Sequence, residues 1–157
     1  MTVSDEVLGP VQIAAQGAAD KMAHNIVAFD VSEQLAITDV FLIASANNER
    51  QVGAIVDGVE EALLKNGRKP IRREGDRENR WVLLDYGVLI IHVQRHAERD
   101  FYGLDRLYRD CPLIEVEGLE TMQRPASWSD EADIRTVDSI DDLPPVPAEY
   151  EPDFEDD

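Results

Sequence analysis

A single cysteine, Cys111, stands in the 157 residues, so no disulfide can close within the chain. One free thiol fits a reducing compartment. Cys111 follows a predicted helix and precedes Pro112, so it also lacks the helix N-terminus that would activate it. Long hydrophobic runs are missing too. The apolar stretches fall far short of the about 20 residues that span a bilayer, and no basic segment leads into an apolar one. A cytoplasmic protein with no membrane partner is expected. No glycine-rich loop precedes a helix and no Asp-x-Asp pair lies on a predicted strand, so phosphate cradle and metal-holding pair are both wanting. Positive charge is scarce: 33 acidic against 15 basic residues leave a net charge of −18. Such a balance argues against general attraction to nucleic acid or an anionic membrane.

That charge is unevenly placed. Residues 115–157 hold 15 acids and 2 bases, whereas residues 1–114 hold 18 and 13. Five of the 8 prolines lie from Pro125 onward. A folded domain over 1–114 and an acidic, largely disordered tail over 115–157 are therefore predicted, with Trp128 and Ile134 as isolated apolar points in the tail.

Within the domain, hydrophobic periodicity predicts a helix over 4–24, on the stripe Val11, Ala14, Ala15, Ala18 and Met22, its regular part beginning at Pro10. Strands follow at Asn25–Ser32 and Ile37–Ala44. Asn48 with Gln51 reads as a helix cap, Val52, Ile55, Val56, Val59 and Leu63 as the buried stripe, and Asn66-Gly67 as the stop. Gly53 and Gly58 inside that helix suggest a close helix–sheet approach. Arg68–Glu74 reads as an edge strand because of Pro70. Trp81–Leu84 and Val88–Ile91 form a hairpin about Asp85-Tyr86-Gly87. One helix then opens at Glu98 or Asp100 and carries Phe101, Leu104 and Tyr108 on one stripe, with Arg99, Asp105, Arg106 and Arg109 off it. Leu113–Val116 reads as a further extended segment. The predicted fold is α/β (α+β): a small mixed sheet of about five strands with helices packed on it.

Chemistry is thin in this chain. His92 and His96 have the spacing of a helical zinc pair, but His92 falls inside a strand, where a neutral, hydrogen-bonded ring is the simplest reading. Asp30, Asp39 and Asp85 sit near strand ends without a phosphate loop to serve them. Neither catalytic residues nor a metal or cofactor site is assigned. Arg68, Lys69, Arg72 and Arg73, with Arg77 and Arg80 beyond, form the one basic cluster. It fits either a solvated edge strand or a contact with RNA or an acidic surface. Trp81 beside a charged turn has the composition of an interface anchor. These residues suggest a binding module rather than an enzyme.

Taken together, Ile37-Thr38-Asp39-x-Phe41-x-Ile43, Arg50-Gln51-Val52, Glu74-Gly75, Trp81–Gly87, His92 and Arg99-x-Phe101-Tyr102-x-Leu104 resemble the ribosomal silencing factor (Iojap) family over roughly residues 8–114. The resemblance implies a nucleotidyltransferase-like fold without catalytic acids. It also implies a translational repressor that binds the large ribosomal subunit at its ribosomal protein fourteen and sterically blocks joining with the small subunit in starvation. Val88, Gln94, Asp105 and Tyr108 depart from the family's usual acid, Phe, Glu and Trp, and the acidic tail lies outside the resemblance. Trp81, Leu83, Tyr86, His92, Arg99 and Tyr102 are expected as exposed contact residues, with a homodimer through the same surface when free. The competing readings are a degenerate nucleotidyltransferase-like nucleotide binder and an RNA-binding or ribosome-maturation module.

Overall fold

The computed structural model describes residues 5–75 and 78–118. Its elements are α1 (Asp5–Ala19), β1 (His24–Asp30), β2 (Val40–Ala46), α2 (Glu49–Lys65), β3 (Arg72–Glu74), β4 (Trp81–Asp85), β5 (Leu89–Arg95), α3 (His96–Tyr102), α4 (Leu104–Leu107) and β6 (Leu113–Ile114). The strands form one mixed sheet in the order β3-β4-β5-β2-β1-β6, in which β2 and β5 run parallel and every other pair antiparallel. The expected extended segment after Pro112 is the sixth strand, pairing Leu113 with Phe29 and Ile114 with Ala28. Packing continues past it. Val116 is buried in the core, and the Gln12 amide exchanges two 2.9 Å hydrogen bonds with the Glu117 backbone.

Sequence accounts for most element ends. The helix α1 begins upstream of Pro10 and holds that proline inside it, and it stops at Ala19, before the predicted end. Met22 turns the chain with φ 65°, and the Ala23 N–H reaches back to Ala18 O at 3.1 Å. At α2 the Gln51 N–H donates to Asn48 Oδ1 at 2.9 Å, and Gln51 Oε1 in return accepts from the Asn47 N–H at 3.3 Å. That is the predicted cap, shifted by one residue in its return bond. Gly67 at φ 79° closes the other end. Pro70 leaves β3 only 3 residues, from Arg72 rather than Arg68.

Both long helices lie on one face of the sheet, where Val11, Ala15, Val52, Ile55, Val59 and Leu63 pack against Leu42, Val82, Leu84 and Ile91. Gly58 marks a close approach, but of helix to helix. A Cβ at Gly17 would stand 3.0 Å from Gly58 O, and one at Gly58 would stand 3.1 Å from Gly17 O. The opposite face carries α3 and α4, which the sequence predicted as one helix. Gly103 divides them: at φ 63° it ends the first helix, with its N–H on Arg99 O, and starts the second.

Candidate interaction surface

Strand alternation sorts the predicted contact residues before any longer-range packing does. Leu83 lies opposite His92 and Trp81 opposite Gln94, so these side chains share the face away from α1 and α2. Trp81 Nε1–H donates to His92 Nδ1 at 3.1 Å. An indole N–H only donates, so His92 is the neutral tautomer with its proton on Nε2. Burial pushes the His92 pKa down to about 3. Around this pair stand rings from β2, from α3 and from Tyr108 just past α4. Tyr102 lies 5.2 Å from Trp81, Phe101 lies 5.1 Å from Tyr102, and Phe41 makes edge contacts with His92 at 4.8 Å and Tyr108 at 5.1 Å. Burial, reinforced by the Glu98 charge, raises the Tyr102 phenol to about 12.

The expectation of exposure fails for five of the six residues. Trp81, Leu83, His92, Arg99 and Tyr102 are 5, 8, 3, 2 and 5% exposed. The physical reason is that this face has its own core, in which Phe101, Leu104 and Cys111 close over Phe29, Ile43 and Leu83. The structure therefore brings Trp81, Leu83, His92 and Tyr102 together as one cluster. Tyr86 is half-buried and packs on the opposite, α2 side, where burial and then the Glu60 charge raise its phenol to about 12.

Arg99 goes elsewhere. Its Nε and Nη2 donate to the two oxygens of Asp105 at 2.9 and 3.0 Å, and its Nη1 donates to Ser45 Oγ at 3.1 Å. Arg99 and Asp105 were read as off the apolar stripe, yet both side chains are 2% exposed. Helical periodicity misses this pair because it assumes an unbroken helix. Gly103 between them was the available signal.

Within the basic cluster, of which Arg77 lies outside the described residues, Arg72 and Arg73 are balanced by nearby acids. Arg72 bonds Asp85 at 3.1 Å and also pairs with Glu74, and Arg73 bonds Glu60 at 2.7 Å. Arg68 is half-buried and Lys69 exposed. Two of the three strand-end acids are held in turns: Asp30 accepts from the Ser32 N–H and hydroxyl at 3.0 and 2.6 Å, and Asp85 accepts from the Gly87 N–H at 2.8 Å. Some of the exposed aliphatic side chains lie toward the hairpin end of the sheet. Ile37, Ile71 and Val88 are 75, 71 and 41% exposed. A Cβ at Gly87 would lie 3.4 Å from Ile71, and Val88 O accepts from the Asp39 and Val40 N–H groups, so Ile71 and Val88 flank the turn that holds Tyr86, and Ile37 precedes the paired Asp39 by two residues.

Comparison with known proteins adds an independent finding. A family model described as "Ribosomal silencing factor during starvation" matches residues 4–141. The chain is 37% identical over 109 residues to the ribosomal silencing factor RsfS of Halalkalibacterium halodurans, covering 69% of this chain and 93% of that protein. For the Bacillus subtilis protein of the same name the identity is 36% over 107 residues, covering 68 and 91%. The chloroplastic protein Iojap of Arabidopsis thaliana is 32% identical over 103 residues, covering 65% of this chain and 42% of that protein. A crystal structure from Bacillus halodurans superposes with a TM-score of 0.61 at 34% identity, covering 72% of this chain and all of the other. One from Chromobacterium violaceum, with a TM-score of 0.63 at 22% identity over 82 and 98% of the two chains, shares the fold.

Proposed function

The chain belongs to the ribosomal silencing factor family, and from that membership we propose that it represses translation by binding the large ribosomal subunit at its ribosomal protein fourteen. Occupying that place blocks the small subunit from joining. The mechanism is steric and asks for affinity and placement, without a chemical step or a cofactor, in the cytoplasm.

The observation that carries this reading is the family match across the whole described domain. Its proposed surface combines two parts of the β4–β5 block. Tyr86 and the exposed Ile71 and Val88 offer apolar area at the hairpin corner. Trp81, Leu83, His92 and Tyr102 hold the strands and α3 in register from beneath, so that substitution there weakens contact through shape. The balanced charges of Arg72 and Arg73 leave ribosomal RNA a minor partner.

Sedimentation of the purified protein with separated ribosomal subunits tests the proposal. It should travel with the large subunit and lower the yield of joined ribosomes when small subunits are added. Tyr86→Ala should weaken that co-migration by tenfold or more, on the order expected of an interface anchor. Protein left at the top of the gradient at moderate salt would sink the proposal.

A further inference from the structure

His24 opens β1 and His96 opens α3, and their rings stack with centroids 4.9 Å apart and planes 17° apart. His24 Nδ1 and His96 Nε2 are 3.0 Å apart. On its other side, His96 Nδ1 meets Ser45 Oγ at 3.1 Å, and that hydroxyl also accepts from Arg99. His24 is half-buried and His96 is buried. A contact of this length between ring nitrogens needs one donor and one acceptor. Two neutral rings satisfy it, and so does one neutral ring beside one imidazolium. Two imidazoliums do not, because they turn N–H against N–H and like charge against like charge in a buried place.

A cation stands close to the pair. From α3 the Arg99 cation faces the pair, its Nη1 also 3.4 Å from His24 O. Asp105 of α4 is spent on Arg99. Glu98 of α3 and Glu49 of α2 are both bonded to Arg95, at 2.6 and 2.8 Å. Asp100 of α3, buried and four positions after His96, is the remaining acid on that helix, and β2 contributes the neutral Ser45.

We propose that the His24–His96 pair is a proton-sensitive staple, holding α3 on the sheet while at most one ring is charged and releasing it when both are. The released form binds one proton more, so docking of α3 weakens as pH falls. As pH falls, the docking equilibrium constant should decline by up to about tenfold per pH unit. Phe101 and Tyr102 ride on α3 and pack toward Trp81, so release would also loosen the proposed ribosome-facing block. That consequence rests on the function proposed above, whereas the test reads the free protein.

Hydrogen exchange of the α3 backbone amides, corrected for intrinsic rates, is followed in the full chain from pH 7.5 to 5.0 together with ring NMR signals of the three histidines. Wild type should lose protection as pH falls, by up to about tenfold per pH unit, in step with the second proton entering the His24–His96 pair. His92, buried and neutral down to about 3, serves as the silent reference. In His24→Gln, which keeps a polar partner but cannot take a second charge, the step should vanish. The proposal is overturned if both rings of wild type become charged while α3 stays protected. It is equally overturned if the variant shows the wild-type pH dependence.

Discussion

The Arg99 guanidinium meets both oxygens of Asp105 with each side chain 2% exposed, so two charges have left water and depend on each other. Removing one strands its partner. Arg99→Met should therefore destabilise the fold by about 3–5 kcal/mol, and adding Asp105→Leu should recover most of that loss, because a complete ion pair is then replaced by apolar side chains. Urea denaturation of the single and double variants checks this; a double variant as unstable as Arg99→Met alone would contradict it. His92 was more legible from sequence than Arg99. An imidazole within an apolar strand is expected to be neutral and bonded, and Trp81 supplies that bond at 3.1 Å. What the sequence did not disclose was direction: the side chains of Trp81, Leu83 and Tyr102 point into a second core, not into solvent.

Among the elements, α1 and α2 are held at glycine distance. Gly17 has Gly58 O at 3.0 Å and the Ala62 Cβ at 3.1 Å from where its own Cβ would stand. Gly17→Ala gains about 1 kcal/mol of helix propensity but overpacks against backbone, at a cost of about 1–3 kcal/mol. A net loss of about 1 kcal/mol is expected, visible as a lower Tm in thermal unfolding; an unchanged or higher Tm would mean that the helices can part freely. Helix α2 was readable to its ends because its signals are local: Asn48 caps it, and Asn66-Gly67 terminates it. The helix after β5 was not, because Gly103 adopts the left-handed region within a sequence whose stripe continues through it. Periodicity registers which residues avoid water and is blind to one residue's φ.

For the whole molecule, charge is the largest compositional signal and guides recognition less than it suggests. The net charge of −18 comes mostly from residues 115–157, and within the described domain the Arg72 and Arg73 charges are met by Asp85, Glu74 and Glu60. The double variant Arg72→Gln with Arg73→Gln should thus change large-subunit binding by less than about threefold, as exposed pairs of this kind contribute about 0–1 kcal/mol. Titration of the variant against purified large subunits checks this, and a collapse of binding would return RNA contact to the foreground. By itself the sequence determined the order of elements through β5, the cap and stop of α2, the family and the hairpin that carries Trp81 and Tyr86, because each is written in neighbouring residues or in motif order. Only the tertiary structure decided which side chains of the second sheet face are covered, and that Arg99 finds Asp105 together with Ser45, which lies 54 positions away. Alternation along a strand divides its side chains between two faces, but what closes over each face arrives from distant parts of the chain.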